Sequence, residues 1–390
     1  MTQGKTLVFD VGASSIKVGF AGSLSPVQVI PTIIGAPRRH FEKHITKRNL
    51  LLGEDALRSC DYKNMVFRYP IDEKGSVQDW SSLTYLLQHA VHKVGIDECS
   101  IHKALITKPY NMKKTDIKRL VDIFFQKLGF GAVTMHDQAA LVLYTQGVDT
   151  GIVVELGDSL ANIVPVYKGH AIPKLDKQMP IGGRTISMYL TNLIQRRGYQ
   201  LDSREDLEIV REIKEKSCYV ALEPDIEERL SEETTVLVET FHLKDGSSIS
   251  LGRERFGATE AIFQPKLWDS EKSGLADLIF ETIQEADIDC RVDLYQNIIL
   301  SGGMSLLPGI RQRLEKDLNH RYNLEVLKGD DSRSRKWELK VHSPSSREHL
   351  VYEGVALFAD LIGNESHFWV TRANYEEHGA QLVLDKYRIT

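Results

Sequence analysis

The fold is decided by the stretch Leu7-Val-Phe-Asp10-Val-Gly12-Ala13-Ser14-Ser15-Ile-Lys17-Val-Gly-Phe20. An apolar run ends in a carboxylate, a glycine makes the turn, and a second apolar run carries the chain back. A glycine turn lets backbone N–H groups converge on an anion. Asp10 beside it can hold the water shell of a hard divalent ion, and Lys17 can reach phosphates as a point charge. Alone, an ordinary β-hairpin with one polar edge would look the same. The pattern recurs, however, in Gly151-Ile-Val-Val-Glu155-Leu-Gly157-Asp158-Ser159-Leu-Ala-Asn162-Ile163. A hairpin has no need of a carboxylate at the end of an apolar strand, where the charge costs free energy unless paired or metal-bound. Two matched hairpins therefore point to a phosphate chain and its metal gripped between two related lobes, built by duplication of one strand-rich unit.

Length and composition agree with that reading. A chain of 390 residues exceeds what one core usually serves. A net charge of −5 leaves no electrostatic footprint for nucleic acid. The basic run Arg38–Arg48 is local and reads as an exposed loop. Four scattered cysteines with no CxxC argue against a zinc site or a disulfide scaffold and suit a reducing compartment. No N-terminal apolar region and no apolar run near membrane-spanning length is found, so neither a signal peptide nor a membrane span is expected.

Strand-like and helix-like runs alternate, which favours α/β layering. Strands are expected at Leu7–Asp10, Ile16–Ala21, Ala104–Thr107, Ala132–Met135, Ile152–Glu155, Ala161–Tyr167, Thr235–Phe241 and Asn297–Leu300. Residues 111–128 carry Ile117, Leu120, Val121, Phe124, Phe125 and Leu128 at helical spacing. Helices are also expected over 138–146, 185–197 and 204–220, and from Pro308 onward as a first-turn proline. The break at Gly147–Gly151 is the candidate lobe junction.

Further motifs stand apart from the two hairpins. Ser301-Gly302-Gly303-Met304 follows an apolar strand and leads into a helix, as where a backbone approaches a nucleotide closely, or as a plain strand-to-helix turn. Ile181-Gly182-Gly183-Arg184 precedes the helix at 185 and could be no more than its entry. Gln138 opens another helix; it could orient a water, or simply cap. Lys214-Glu215-Lys216 reads first as a solvated helix face, with nucleoside contact the lesser reading.

Together these motifs, with Ile213-Lys-Glu-Lys-Ser-Cys-Tyr-Val220, Glu233–Glu239, Glu254-Arg-Phe256, Ala261–Pro265, Thr282–Arg291, Val326–Asp330 and Phe368–Tyr375, resemble the actin family over nearly the whole chain. Within it the likeness is to actin-related proteins that act in branched nucleation. The resemblance implies an α/β, actin-like (duplicated ribonuclease-H-like) fold of two lobes around a nucleotide cleft. It implies a small lobe of residues 1–146 plus 345–390, with 36–67 a mobile contact subdomain, and a large lobe of 147–344, with 183–272 inserted. It implies ATP or ADP with Mg²⁺. Asp10, Gly12, Ala13, Ser14, Lys17, Glu155, Gly157, Asp158 and Ser159 would hold phosphates, with Asp10 and Asp158 on the metal through water. Gly183, Lys214, Glu215, Gly302, Gly303 and Met304 would line the nucleoside side, and Gln138 would position the attacking water. Implied partners are the subunits of a multiprotein complex with a second actin-like subunit, actin filaments and nucleation-promoting factors, in the cytoplasm and cytoskeleton. In segment 36–64 the apolar Phe41, Ile45, Leu50–Leu52 and Tyr62 suit either a protein contact or packing on a small sheet of their own.

The chain departs from the family pattern around both hairpins. Glu155 stands where the family has Asp, Ser159 where it has Gly, Asn162 where it has His, and Ala161 where it has Thr. Ala13 and Ser14 replace Ser and Gly, Leu307 an aromatic, and Glu348 a lysine. Asn162 cannot relay a proton as histidine can, so slow or absent hydrolysis with retained ATP is expected. The alternatives are a filament-forming actin, a subunit of a dynactin-like or chromatin-associated complex, a sugar kinase, or a chaperone-type ATPase. A sugar kinase should carry a catalytic Asp on a glycine-rich turn, and none is convincing; a chaperone should continue into a peptide-binding domain.

Overall fold

The computed structural model describes residues 4–37, 50–58, 65–201, 206–243, 246–268, 271–329 and 339–386. The basic run Arg38–Arg48, with Phe41 and Ile45, and Tyr62 lie outside the described residues. The chain divides into two compact units. One is Met1–Asp149 with Gly169–Ala171 and His349–Thr390; the other is Thr150–Lys168 with Ile172–Glu348.

The first unit is built on a sheet in which Val370–Thr371, Ala132–Asp137, Lys103–Lys108, Thr6–Val11, Ser15–Phe20 and Gln28–Pro31 follow one another. Thr6–Val11 pairs antiparallel with Ser15–Phe20 and parallel with Lys103–Lys108, which is itself parallel to Ala132–Asp137. Alternate residues face opposite sides of a strand. Leu7 and Phe9 accordingly join the core containing Leu83, Leu87, Ile117 and Val121, while Val8 joins Leu105, Leu141, Tyr352 and Val355 on the other face. On that second face helices Gln138–Thr145 and Leu350–Ile362 cross closely. A methyl on Gly354 would come within 2.2 Å of the Leu141 carbonyl oxygen, so only glycine fits the crossing. A small sheet of Ile34–Pro37, Leu51–Leu52 and Met65–Arg68 belongs to the same unit. Leu51 packs there against the cluster of Ile33, Ala56 and Phe67.

The second unit repeats the plan. Ala161–Tyr167, Gly151–Leu156, Ile298–Ser301 and Val341–His342 follow one another, with Lys177–Met179 on the outer edge of Ala161–Tyr167. The pairing sense is again antiparallel in the hairpin and parallel thereafter. Ile152, Val154 and Leu156 sit in a core closed by helices Gly183–Arg196, Asp206–Ser217, Glu254–Glu260, Leu275–Glu285 and Ile310–Glu325. Strands covered this thoroughly read as continuous apolar runs, as both hairpins do.

Three expectations are corrected locally. The helix over 111–128 begins at Lys114, is α-helical to Asp122, and widens into a π-turn over Ile123–Leu128. The wider turn serves two adjacent buried rings: Phe124 meets Phe9 edge-on at 4.9 Å, and Phe125 stacks on Tyr375 at 4.3 Å. The strand expected over Thr235–Phe241 is confined to Glu239–His242, because Val236 and Val238 are exposed and have no sheet face to cover. Pro308 precedes its helix rather than opening it; Gly309, in the left-handed region at φ 84°, is the N-cap of Ile310–Glu325.

Candidate functional site

In the first unit the register sets Lys17 opposite Asp10 across the hairpin, and Thr107 occupies the matching place on the parallel strand. Asp10 is buried. It is balanced by Lys17 Nζ at 3.1 Å from Oδ2, and Oδ1 accepts from Thr107 Oγ1 at 2.9 Å and from Gln138 Nε2 at 3.2 Å. A buried carboxylate is tolerable only with such partners. Because a carboxylate only accepts, Asp10 turns the Gln138 amide so that its NH₂ faces inward. Gln138 Oε1 is then left buried with no hydrogen-bond partner among the described residues. The turn is tied by Gly12 N–H to Ser15 O at 3.1 Å, Thr32 N–H to Ser14 O at 2.9 Å and Thr32 Oγ1 to Gly12 O at 2.8 Å. Lys108 pairs with Asp137 at the adjacent strand end. Burial lowers the pKa of His136 from its ordinary value, against the pull of Asp137.

The second unit carries the register-equivalent set. Asn162 lies opposite Glu155, and Ser301 occupies the place that Thr107 has in the first unit. The turn closes identically, with Gly157 N–H to Leu160 O at 3.0 Å. The chemistry differs. Asn162 Nδ2 donates to Glu155 Oε2 at 3.5 Å and its Oδ1 accepts from Gln178 Nε2 at 2.9 Å, so the amide is held at both ends. Ser301 Oγ is buried with no hydrogen-bond partner among the described residues.

The turn 157–159 is stitched to the glycine pair at 182–183. Gly183 N–H donates to Gly157 O at 3.0 Å, and Arg184 N–H to Asp158 O at 2.8 Å. A methyl on Gly182 would lie 2.4 Å from Asp158 O, so the two backbones can touch only because that side chain is absent. Arg184 Nη2 reaches Asp158 Oδ2 at 2.8 Å, with both side chains largely buried. Lys214 Nζ donates to Gly183 O at 2.7 Å; burial lowers its pKa and Asp158 opposes the shift. The backbone N–H groups of Asp158 and Ser159 donate to no acceptor among the described residues. Gly302, at φ 89°, lies against Leu156, where a methyl would meet the carbonyl oxygen at 2.4 Å. Gly303 next to it faces open space and is exposed.

Each unit thus gathers its own half of the expected residues. Asp10, Gly12, Ala13, Ser14, Lys17 and Gln138 belong to one turn. Glu155, Gly157, Asp158, Ser159, Gly183, Lys214 and Gly302 belong to the other. Glu215 bonds to Arg211 Nε at 2.9 Å on the exposed side of its helix, and the Met304 side chain joins the core. Sequence reading missed Thr107 and gave Arg184 no role. Thr107 carries no local signal, since it reaches Asp10 from 97 positions away through strand register. Within the first unit the Lys17 ammonium and the Asp10 carboxylate lie beside Gln138 Oε1, unpartnered among the described residues. Within the second, the Lys214 ammonium, the Asp158 carboxylate and the amides of Asp158 and Ser159 lie at one turn. Each set taken by itself has the chemistry that a phosphate and a cation require.

The actin family model matches residues 1–388. The chain is 38% identical over 391 residues to a protein named actin-related protein 2 from Arabidopsis thaliana, covering 98% of each chain. It is 39% identical over 383 residues to proteins of the same name from Oryza sativa subsp. japonica and from subsp. indica, covering 97% of each. With the same sheet plan and the same carboxylate–glycine turn in both units, and a family match from end to end, this chain belongs to the actin family.

Proposed function

We propose that the chain is an ATP- and Mg²⁺-binding actin-related subunit of the complex that nucleates branched actin filaments, with the nucleotide acting mainly as a structural ligand. The observation that carries this reading is near-full-length similarity to proteins named actin-related protein 2. Its partners are then a second actin-like subunit and the companion subunits, actin filaments and nucleation-promoting factors, in the cytoplasmic cytoskeleton. Among the described residues no helix is long and apolar enough to cross a membrane.

Asp10, Lys17 and the Gly12 turn in one unit, and Gly157, Asp158, Ser159, Gly183 and Lys214 in the other, hold phosphates and metal. Mg²⁺ supplies charge neutralisation of the phosphates when bound. Gln138 directs its free Oε1 at water, while Asn162, held by Glu155 and Gln178, moves no proton. Losing one water-positioning contact slows hydrolysis by roughly 10²- to 10³-fold, by analogy with a lost oxyanion donor. Affinity purification with identification of the co-purifying subunits tests the assignment: the second actin-like subunit is expected, and its absence overturns it. Single-turnover hydrolysis of labelled ATP tests the structural role, and a rate equal to that of conventional actin would sink it.

A further inference from the structure

The segment Leu222–Glu239 holds seven carboxylates and one base, a charge larger than the net −5 of the whole chain. Within it, helix Pro224–Glu233 buries none of its residues. Ile226 and Leu230, four apart on one face of the helix, are 61% and 38% exposed, and Leu222 just before the helix and Val236 and Val238 after it are 45%, 69% and 46% exposed. Single exposed apolar residues are ordinary, but five within 17 positions, set among seven carboxylates, mark a contact surface.

Folding alone gives this helix little reason to look as it does. Glu232 and Glu233 stand in its last turn, at the negative end of the helix dipole, with no basic residue beside them in that turn. Among the described residues neither they nor Asp225 form an ion pair, although Glu223 and Glu228 are paired to Lys316 and Arg253. Charges that disfavour their own helix and find no ion-pair partner among the described residues are suited to a cationic partner outside the chain.

We propose that the 222–238 strip is a docking surface for a basic amphipathic helix of another polypeptide, one that sets apolar side chains between flanking lysines or arginines. The charge decides among occupants. A second copy would bring like charge against like, and an anionic membrane surface or a nucleic acid would be repelled. A cationic amphipathic helix satisfies both the apolar strip and the carboxylates along its rim. The surface lies wholly within the second unit and makes no use of the nucleotide residues, so it stands independently of the function proposed above.

The test uses the full chain and a labelled synthetic Leu/Lys amphipathic helix, followed by fluorescence anisotropy. Binding is expected, with affinity falling as salt rises. Ile226→Ser with Leu230→Ser should weaken it by about tenfold or more. Glu232→Gln with Glu233→Gln should weaken it and flatten its salt dependence. All four side chains are exposed, so the melting temperature should not move. Equal binding of a Leu/Glu helix of the same pattern would overturn the proposal. So would indifference of the Leu/Lys helix to the Ile226/Leu230 change, or self-association of the pure chain abolished by that change.

Discussion

At the scale of single residues, the two carboxylates of the turns are stabilised in different ways. Asp10 is met by an ammonium, a hydroxyl and an amide. Asp158 is met by a guanidinium within its own unit, with Lys214 facing the same loop. Removing one partner of a largely buried ion pair leaves the other charge uncompensated, which costs about 3 kcal/mol. Arg184→Ala should therefore lose roughly that much in chemical denaturation, and ATP should bind more weakly because the 157–159 turn loses its anchor. Arg184→Lys, which keeps the charge and gives up the planar fork, should recover part of both. A stability for Arg184→Ala equal to that of the parent protein would show that Lys214 alone balances Asp158.

At the scale of elements, the strand–turn–strand repeat explains why neighbouring glycines differ in importance. Gly302 sits at φ 89° with the Leu156 backbone where a side chain would begin, whereas Gly303 faces nothing within 4 Å. Gly302→Ala combines left-handed strain with a backbone clash, and should cost several kcal/mol or prevent folding, since strained backbone of this kind costs about 1–3 kcal/mol before any clash is counted. Gly303→Ala should leave thermal stability nearly unchanged. If a nucleotide approaches this turn, Gly303→Ala should still weaken ATP binding, measured by calorimetry. Unchanged affinity would place the nucleotide away from Gly303. The π-turn over Ile123–Leu128 belongs to this scale too: helical periodicity marks its buried residues correctly, but not the widening that seats two adjacent rings in different places.

At the scale of the whole molecule, each of the two units repeats one sheet plan and carries one half of the residues proposed to bind phosphate. A filament-forming actin and a complex subunit share that plan, so the plan does not separate them; assembly behaviour does. In sedimentation with Mg-ATP the pure chain should remain monomeric. Polymerisation under those conditions would favour a divergent actin over the complex subunit.

Much of this was legible in the sequence, because strand ends, glycine turns and helical faces are local signals. The periodicity of Leu7–Phe20 and Gly151–Ile163 located both hairpins, and the carboxylates beside Gly12 and Gly157 located both turns. The family followed from those motifs and their order along the chain. What only the tertiary structure decided was partnership. Thr107 reaches Asp10 through parallel register while Ser301, at the equivalent place beside Glu155, stays unpartnered among the described residues, Arg184 finds Asp158 across 26 positions, and the 222–238 strip is left uncovered. Register, crossing and exposure are relations between distant segments, set by how the whole chain buries its apolar surface, and no local run of residues encodes them.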